Sequence, residues 1–182
     1  MKFFFILVIG LLNLNNFTLA SDKILSSLDE GNKLIFIRHA LAPGNGDPDN
    51  FNINDCSTQR NIDQIGIQQS KKIGLFFKKN NIKIDRVLSS EWCRCKDTAR
   101  IAFKNFETFN ALNSFYDEKF ASNEGKQIEN LKHFISNWHS DKNLVLVTHF
   151  VVISSILNVG ASSGEILISD KNFELIGSFE SM

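Results

Sequence analysis

The sequence predicts a layered α/β domain with a largely parallel central sheet. Three observations carry that expectation. Two continuous apolar runs, Leu34–Ile37 and Leu144–Val147, suit interior strands covered on both faces. A third strand-like run, Arg86–Ser89, lies between them. Each of the three is followed, directly or after a loop, by apolar residues at helical spacing, and strands alternating with helices build a layered α/β domain. No internal repeat and no linker splits the 182 residues, which are enough for one domain with a sizeable core.

Taken in order, residues 22–32 are polar, with Ile24, Leu25 and Leu28 spaced for a short helix. The first strand, Leu34–Ile37, runs into Arg38-His39-Ala40. A long polar segment, Ala42 to Thr58, holds both prolines, Pro43 and Pro48, together with Gly, Asn and Asp, a composition that forbids regular structure. A loop of that length in a compact domain is often functional, and this one opens directly off His39. Asp63 reads as an N-cap for a helix that sets Ile65, Ile73, Phe76 and Phe77 on its apolar face and stops at Asn80-Asn81. After the Arg86–Ser89 strand, Ser90 can cap a helix through Trp92, Thr98, Ala99, Ile101 and Ala102, with Arg94 in its first turn. There the free backbone N–H groups and the helix dipole favour an anion. The pattern weakens from Phe106 to Asn123, with a strand suggested at Thr108–Leu112. A helix from Gly125 to Trp138 turns Ile128, Leu131, Ile135 and Trp138 to the core. His149 follows the Leu144–Val147 strand, then a short apolar helix, Val151–Leu157. Two last strands, Glu165–Ser169 and Phe173–Phe179, meet at the polar turn Asp170-Lys171-Asn172.

Acidic and basic residues balance at 20 each, which gives no reason to expect nucleic acid or an anionic membrane surface as a partner. The N-terminus has the layout of a secretory signal peptide: Lys2, an apolar run from Phe3 to Leu12, and Thr18-Leu19-Ala20 with small residues at its first and third places, ahead of a cleavage position after Ala20. The expected organisation is therefore a signal peptide over residues 1–20 and a folded domain over 21–182, secreted or periplasmic, with no membrane association after cleavage. Export makes a disulfide among Cys56, Cys93 and Cys95 feasible. Cys93 and Cys95 diverge on a helix, so the readings are a bridge from Cys56 to one of them, or three free thiols. No Cys or His spacing typical of a zinc site occurs, and no metal or other cofactor is expected.

The chemistry concentrates where basic side chains leave strand ends: Arg38 and His39, then Arg94 just after Ser89-Ser90, then His149. In open sheets ligands collect at the carboxyl ends of strands. A neutral imidazole can attack phosphorus in line, and planar guanidiniums hold phosphate oxygens through paired hydrogen bonds. Two histidines and two arginines thus sketch a pocket for a phosphoryl group. His133 and His139, six apart, share no helix face and are expected to meet solvent.

At these residues the chain resembles the histidine phosphatase superfamily, in the branch that holds phosphoglycerate mutases and small bacterial phosphatases. Leu34–Ala40 resembles its strand and Arg-His-Gly/Ala motif, Leu88–Arg94 continuing to Ala99 its second motif, and Leu146–His149 its third. The resemblance runs from about Lys33 to Ile168. It implies a three-layer α/β/α sandwich with a mostly parallel central sheet, phosphoglycerate mutase-like. It implies that His39 is phosphorylated, that Arg38, Arg94 and His149 hold the phosphate, and that Arg60, near the entry to the helix after the first loop, binds substrate. From the residues alone, Arg60 could equally cap that helix or pair with a carboxylate. Two departures stand out. Ser114 occupies the place where many members carry a glutamate as general acid, which leaves Glu91, Asp117 and Glu118 as candidates, with Glu91 also explained by the helix dipole. Phe150 stands where the phytase-like branch has an aspartate, and the longer motif of phosphoglycerate mutases is absent after Ala40. The expectation is an exported phosphohydrolase that cleaves small phosphate monoesters through a phosphohistidine on His39. The alternative is a binding module that captures a phosphorylated ligand without turnover.

Overall fold

The computed structural model describes residues 22–180, so the signal-peptide reading of residues 1–20 lies outside the described residues. Helix α1 covers residues 22–30. Strand β1 (Leu34–Arg38) follows, then the long loop, helix α2 (Gln64–Lys79), strand β2 (Ile84–Ser89) and helix α3 (Cys93–Phe103). The chain continues through β3 (Glu107–Thr108), α4 (Glu118–Ala121), α5 (Glu124–Asn137), β4 (Asn143–Thr148), α6 (Phe150–Leu157), β5 (Ile166–Ser169) and β6 (Leu175–Phe179).

The six strands form one sheet in the order β3-β2-β4-β1-β5-β6. The β3-β2-β4-β1 half is parallel, and the β5-β6 hairpin closes the edge antiparallel. Strand alternation splits the core in two. Leu34, Phe36, Leu144 and Leu146 face α5 and α6, while Ile35, Ile37, Val145 and Val147 face α1, α2 and α3. The result is the expected three-layer sandwich. The central pair, β1 and β4, is buried on both faces, which explains their unbroken apolar sequences.

Two local expectations are corrected. The strand suggested at Thr108–Leu112 is a two-residue strand, Glu107–Thr108, followed by a 3-10 turn at Asn110–Leu112. Ile65 is exposed, not core-facing; the buried stripe of α2 is Gly66, Ser70, Ile73 and Phe77. The stripe starts at Gly66 because the helix abuts the backbone of Leu41 there, and a Cβ on Gly66 would lie 2.3 Å from the Leu41 carbonyl oxygen. Asp63 caps α2 as expected, accepting from the Gly66 N–H at 2.8 Å.

The order β2-β4-β1 is what matters for chemistry. These three adjacent parallel strands end level: Ser89 is opposite Val147, and Thr148 is opposite Arg38. Their next residues leave the same edge of the sheet together.

Candidate active site

Two backbone bonds extend the strand ladder into the site. His39 N–H donates to the Thr148 carbonyl at 2.9 Å, and Ser90 N–H donates to the Val147 carbonyl at 2.9 Å. Thr98 on α3 ties helix to strand: its hydroxyl donates to the Arg94 carbonyl at 2.7 Å and accepts from Ala40 N–H at 3.0 Å. Arg38, His39, Arg94 and His149 thereby line one cavity of about 160 Å³, together with Arg60, Ser114, Asp117 and loop residues Ala42 to Gly46. The His39 and His149 rings lie 5.3 Å apart, centroid to centroid, at an interplanar angle of 65°.

The hydrogen bonds fix the tautomer of each imidazole. His39 Nδ1 faces the Ala40 carbonyl at 2.9 Å. A carbonyl only accepts, so Nδ1 carries the proton and Nε2 keeps its lone pair. His149 Nε2 meets the Ser90 hydroxyl at 2.9 Å. Asn113 Oδ1 accepts from Glu91 N–H at 2.9 Å and from the Ser90 hydroxyl at 3.1 Å. Ser90 has one proton and gives it to Asn113, so His149 Nε2–H donates to Ser90. Ser90 was expected as a helix cap. In the fold Trp92 takes the N-cap position without side-chain capping, and Ser90 orients His149.

Both histidines are buried among cations. Burial, then the charges of Arg94, Arg38 and Arg60, lowers His39 to about 3 against a bond to Ala40 that opposes the shift. Burial, then Arg94 and its other basic neighbours, holds His149 well below the usual range. Both rings are neutral near pH 7. Cys95 lies 3.5 Å from His149 Nε2, and burial pushes its thiol up to about 12, so it is an inert neighbour.

Three guanidiniums face the same space. Arg38 donates from Nη1 to the Ala161 carbonyl at 2.6 Å and stacks 5.3 Å from the Phe150 ring, which gives Phe150 a role at the position noted in the sequence. Arg60 neither caps a helix nor pairs with a carboxylate through its side chain. Its Nε donates to the Gly46 carbonyl at 2.8 Å, and its Nη1 to the Ala42 carbonyl. Arg94 pairs through Nη1 with Asp47, both oxygens lying at 2.8 and 3.0 Å. Nε of Arg38 and Nε of Arg94 are buried without a hydrogen-bond partner among the described residues. Buried donors of this kind are costly unless a ligand satisfies them, and a tetrahedral oxyanion offers acceptors in the right number.

Of the acids considered from sequence, Glu91 lies outside this cavity. Its carboxylate accepts from Asn113 Nδ2 at 2.6 Å and lines a neighbouring cavity with Phe51, Trp92 and Phe120. Asp117 does line the site, and its side chain does not cap α4. Sequence reasoning missed Asp47, which looked like one more turn residue in a Gly- and Asn-rich loop. Of the cysteine readings, the bridge is Cys56–Cys93, which joins the loop to the first residue of α3.

Solved structures share this architecture. The protein histidine phosphatase SixA complexed with tungstate aligns with a TM-score of 0.60 at 13% identity, over 82% of this chain and 97% of that one. The chain has the phosphoglycerate mutase-like fold of the histidine phosphatases. A phosphoglycerate mutase from Thermus thermophilus aligns at 0.58 and 14% identity, over 80% and 97% of the two chains. A histidine-to-alanine variant of a phosphoserine phosphatase from Entamoeba histolytica, in complex with phosphoserine, aligns at 0.55 and 21%, over 75% and 89%. No protein-family model and no curated protein matches the sequence. Against this histidine phosphatase fold, the paired histidines and the arginines at the carboxyl edge of the parallel strands stand where ligands collect in open sheets.

Proposed function

We propose that the protein is a phosphatase that cleaves small phosphate monoesters through a phosphohistidine on His39. One observation carries the reading: two neutral imidazoles 5.3 Å apart share a cavity with three guanidiniums, two of which keep buried donors that have no partner among the described residues. In this reading His39 Nε2 attacks phosphorus as the ester P–O bond breaks. Arg38 and Arg94 stabilise the charge on the non-bridging oxygens. Arg60 completes the cradle, and His149, which donates its one ring proton to Ser90, can take part only as an acceptor for a protonated phosphate oxygen. Asp117 is the group in place to protonate the departing alkoxide, a role that would move from Glu91, the sequence candidate, to the acid lining the cavity. Water then attacks the phosphohistidine and gives its proton to Asp117. The N–P bond breaks, and phosphate leaves with His39 neutral again. The fold-level relatives include phosphatases and fit the same chemistry.

The same proposal puts the enzyme outside the cytoplasm, secreted or periplasmic. The leader-like residues 1–20 and the Cys56–Cys93 bridge support that location. Among the described residues no helix is long and apolar enough to cross a membrane.

The test is release of phosphate from an activated aryl phosphate and from an alkyl phosphate. His39→Ala should cut both by more than about 10³-fold. Asp117→Asn should cost the alkyl ester about 10²-fold and the aryl ester far less, because only the poor leaving group needs the acid. Turnover that survives His39→Ala would remove the mechanism. Phosphate binding with no turnover of either ester would favour the binding-module alternative, which the Ser114 departure motivates.

A further inference from the structure

The Asp47 carboxylate is buried against Arg94. Its side chain is 1% exposed and that of its partner Arg94 is 4% exposed. Oδ1 accepts from Arg94 Nη1 at 2.8 Å and from the Arg60 backbone N–H at 3.0 Å. Oδ2 accepts from Arg94 Nη1 at 3.0 Å and from Trp92 Nε1 at 3.0 Å. The turn that delivers it is built for the purpose. Gly44 and Gly46 hold φ of +95° and +63°, values that cost a side-chain-bearing residue, and Pro48 stiffens the exit. Burial raises the cost of the Asp47 charge, yet the bonds and charge of Arg94 hold its carboxyl below the usual range. The acid is therefore held as a carboxylate.

We propose that Asp47 is the positioning residue and internal counter-ion of the oxyanion pocket, clamping Arg94 by one nitrogen so that the rest of its guanidinium faces the phosphoryl group. The clamp does two separable things. It fixes Arg94 in the orientation that serves the transition state. It also offsets one of three clustered positive charges, so that phosphate is held firmly enough to react but loosely enough to leave. A pocket of three uncompensated guanidiniums would bind product phosphate too well. The turnover consequences rest on the phosphatase reading; the binding consequences do not.

Asp47→Asn and Trp92→Phe separate the two effects. Asp47→Asn removes the charge. It should tighten inorganic phosphate, measured by calorimetry on the purified protein, by about tenfold, and lower kcat by about tenfold while KM falls or stays level. Trp92→Phe removes one donor and leaves the charge. It should lower kcat by a few-fold without tightening phosphate. Thermal melting confirms that each variant is folded; should Asp47→Asn not fold, the Trp92→Phe pair of readings carries the test. The proposal is overturned if Asp47→Asn leaves phosphate affinity unchanged or weakens it. It is equally overturned if a folded Trp92→Phe changes phosphate affinity as much as kcat. If the wild-type protein turns over no ester, the phosphatase reading fails, and the calorimetric arm still decides whether Asp47 sets the pocket charge.

Discussion

His39 and His149 owe their neutrality to their surroundings, and the same surroundings make the folded protein sensitive to acid. Both rings are 2% exposed and ringed by Arg38, Arg60 and Arg94, so each resists a proton far below its ordinary range. The unfolded chain has no such resistance and protonates near 6.5. Between that value and the folded value of about 3 for His39, the unfolded state holds more protons, so stability falls as pH falls. His39 should contribute a loss of about 2–3 kcal/mol between pH 7 and 4.5, His149 should add a loss of the same sign, and little of either appears above pH 7. Urea unfolding at stepped pH measures it. His39→Gln should flatten the slope by about that amount, and a slope that is the same in both proteins would contradict the assignment of neutral buried imidazoles. For catalysis the consequence is the reverse. In the proposed mechanism His39 stays unprotonated into the acid range, so an acid limb in kcat/KM near pH 6 would have to belong to substrate or to another group.

Among the elements, helix α2 is the one whose placement the site feels most directly. Its first turn packs against the Leu41 backbone, two residues beyond His39, through Gly66. Gly66→Ala puts a methyl within 2.3 Å of the Leu41 oxygen, so helix or strand end must move. The expected cost is about 2–3 kcal/mol in denaturant unfolding, together with a fall in kcat, because the Ala40 N–H bond to Thr98 shares the displaced segment. A variant that is destabilised but fully active would show that the shift is absorbed on the helix side. This contact also marks how far the sequence could be read. Strand ends were legible because an unbroken apolar run followed by His or Arg leaves few alternatives, and the convergence of Arg38, His39, Arg94 and His149 on one cavity followed from them. The α2 face was only partly legible. Ile65 satisfied the periodicity, but the glycine next to it carries the close approach, and a glycine adds nothing to an apolar pattern. Asp47 was invisible for a related reason. Turn composition explains an aspartate between glycine and proline completely, and its real partners, Arg94 and Trp92, are about 45 residues away. The Cys56–Cys93 pairing and the exclusion of Glu91 from the cavity likewise depend on tertiary placement, which spacing along the chain does not fix.

At the scale of the whole molecule, the long first loop is a strap that has almost no regular structure of its own and is held by a few strong points. Asp47 anchors it at the pocket. Gln59 donates to the Asn52 and Ile53 carbonyls and accepts from the Cys93 N–H at 2.9 Å. The disulfide from Cys56 to Cys93 closes the far end, 37 residues apart in sequence. These anchors differ in kind. The polar ones act only in the folded protein, whereas a cross-link acts largely by shrinking the unfolded ensemble, here by about 3–4 kcal/mol for a loop of this length. Cys56→Ser should therefore lower the melting temperature by roughly 10 °C. At temperatures well below the transition it should leave kcat and KM within about twofold, because Asp47 and Gln59 still seat the strap. Differential scanning calorimetry and steady-state rates on the same sample read the two effects. If kcat instead falls as far as it does in Asp47→Asn, the bridge is what holds the counter-ion in place, and reduction of the Cys56–Cys93 disulfide to two thiols would be enough to silence the pocket.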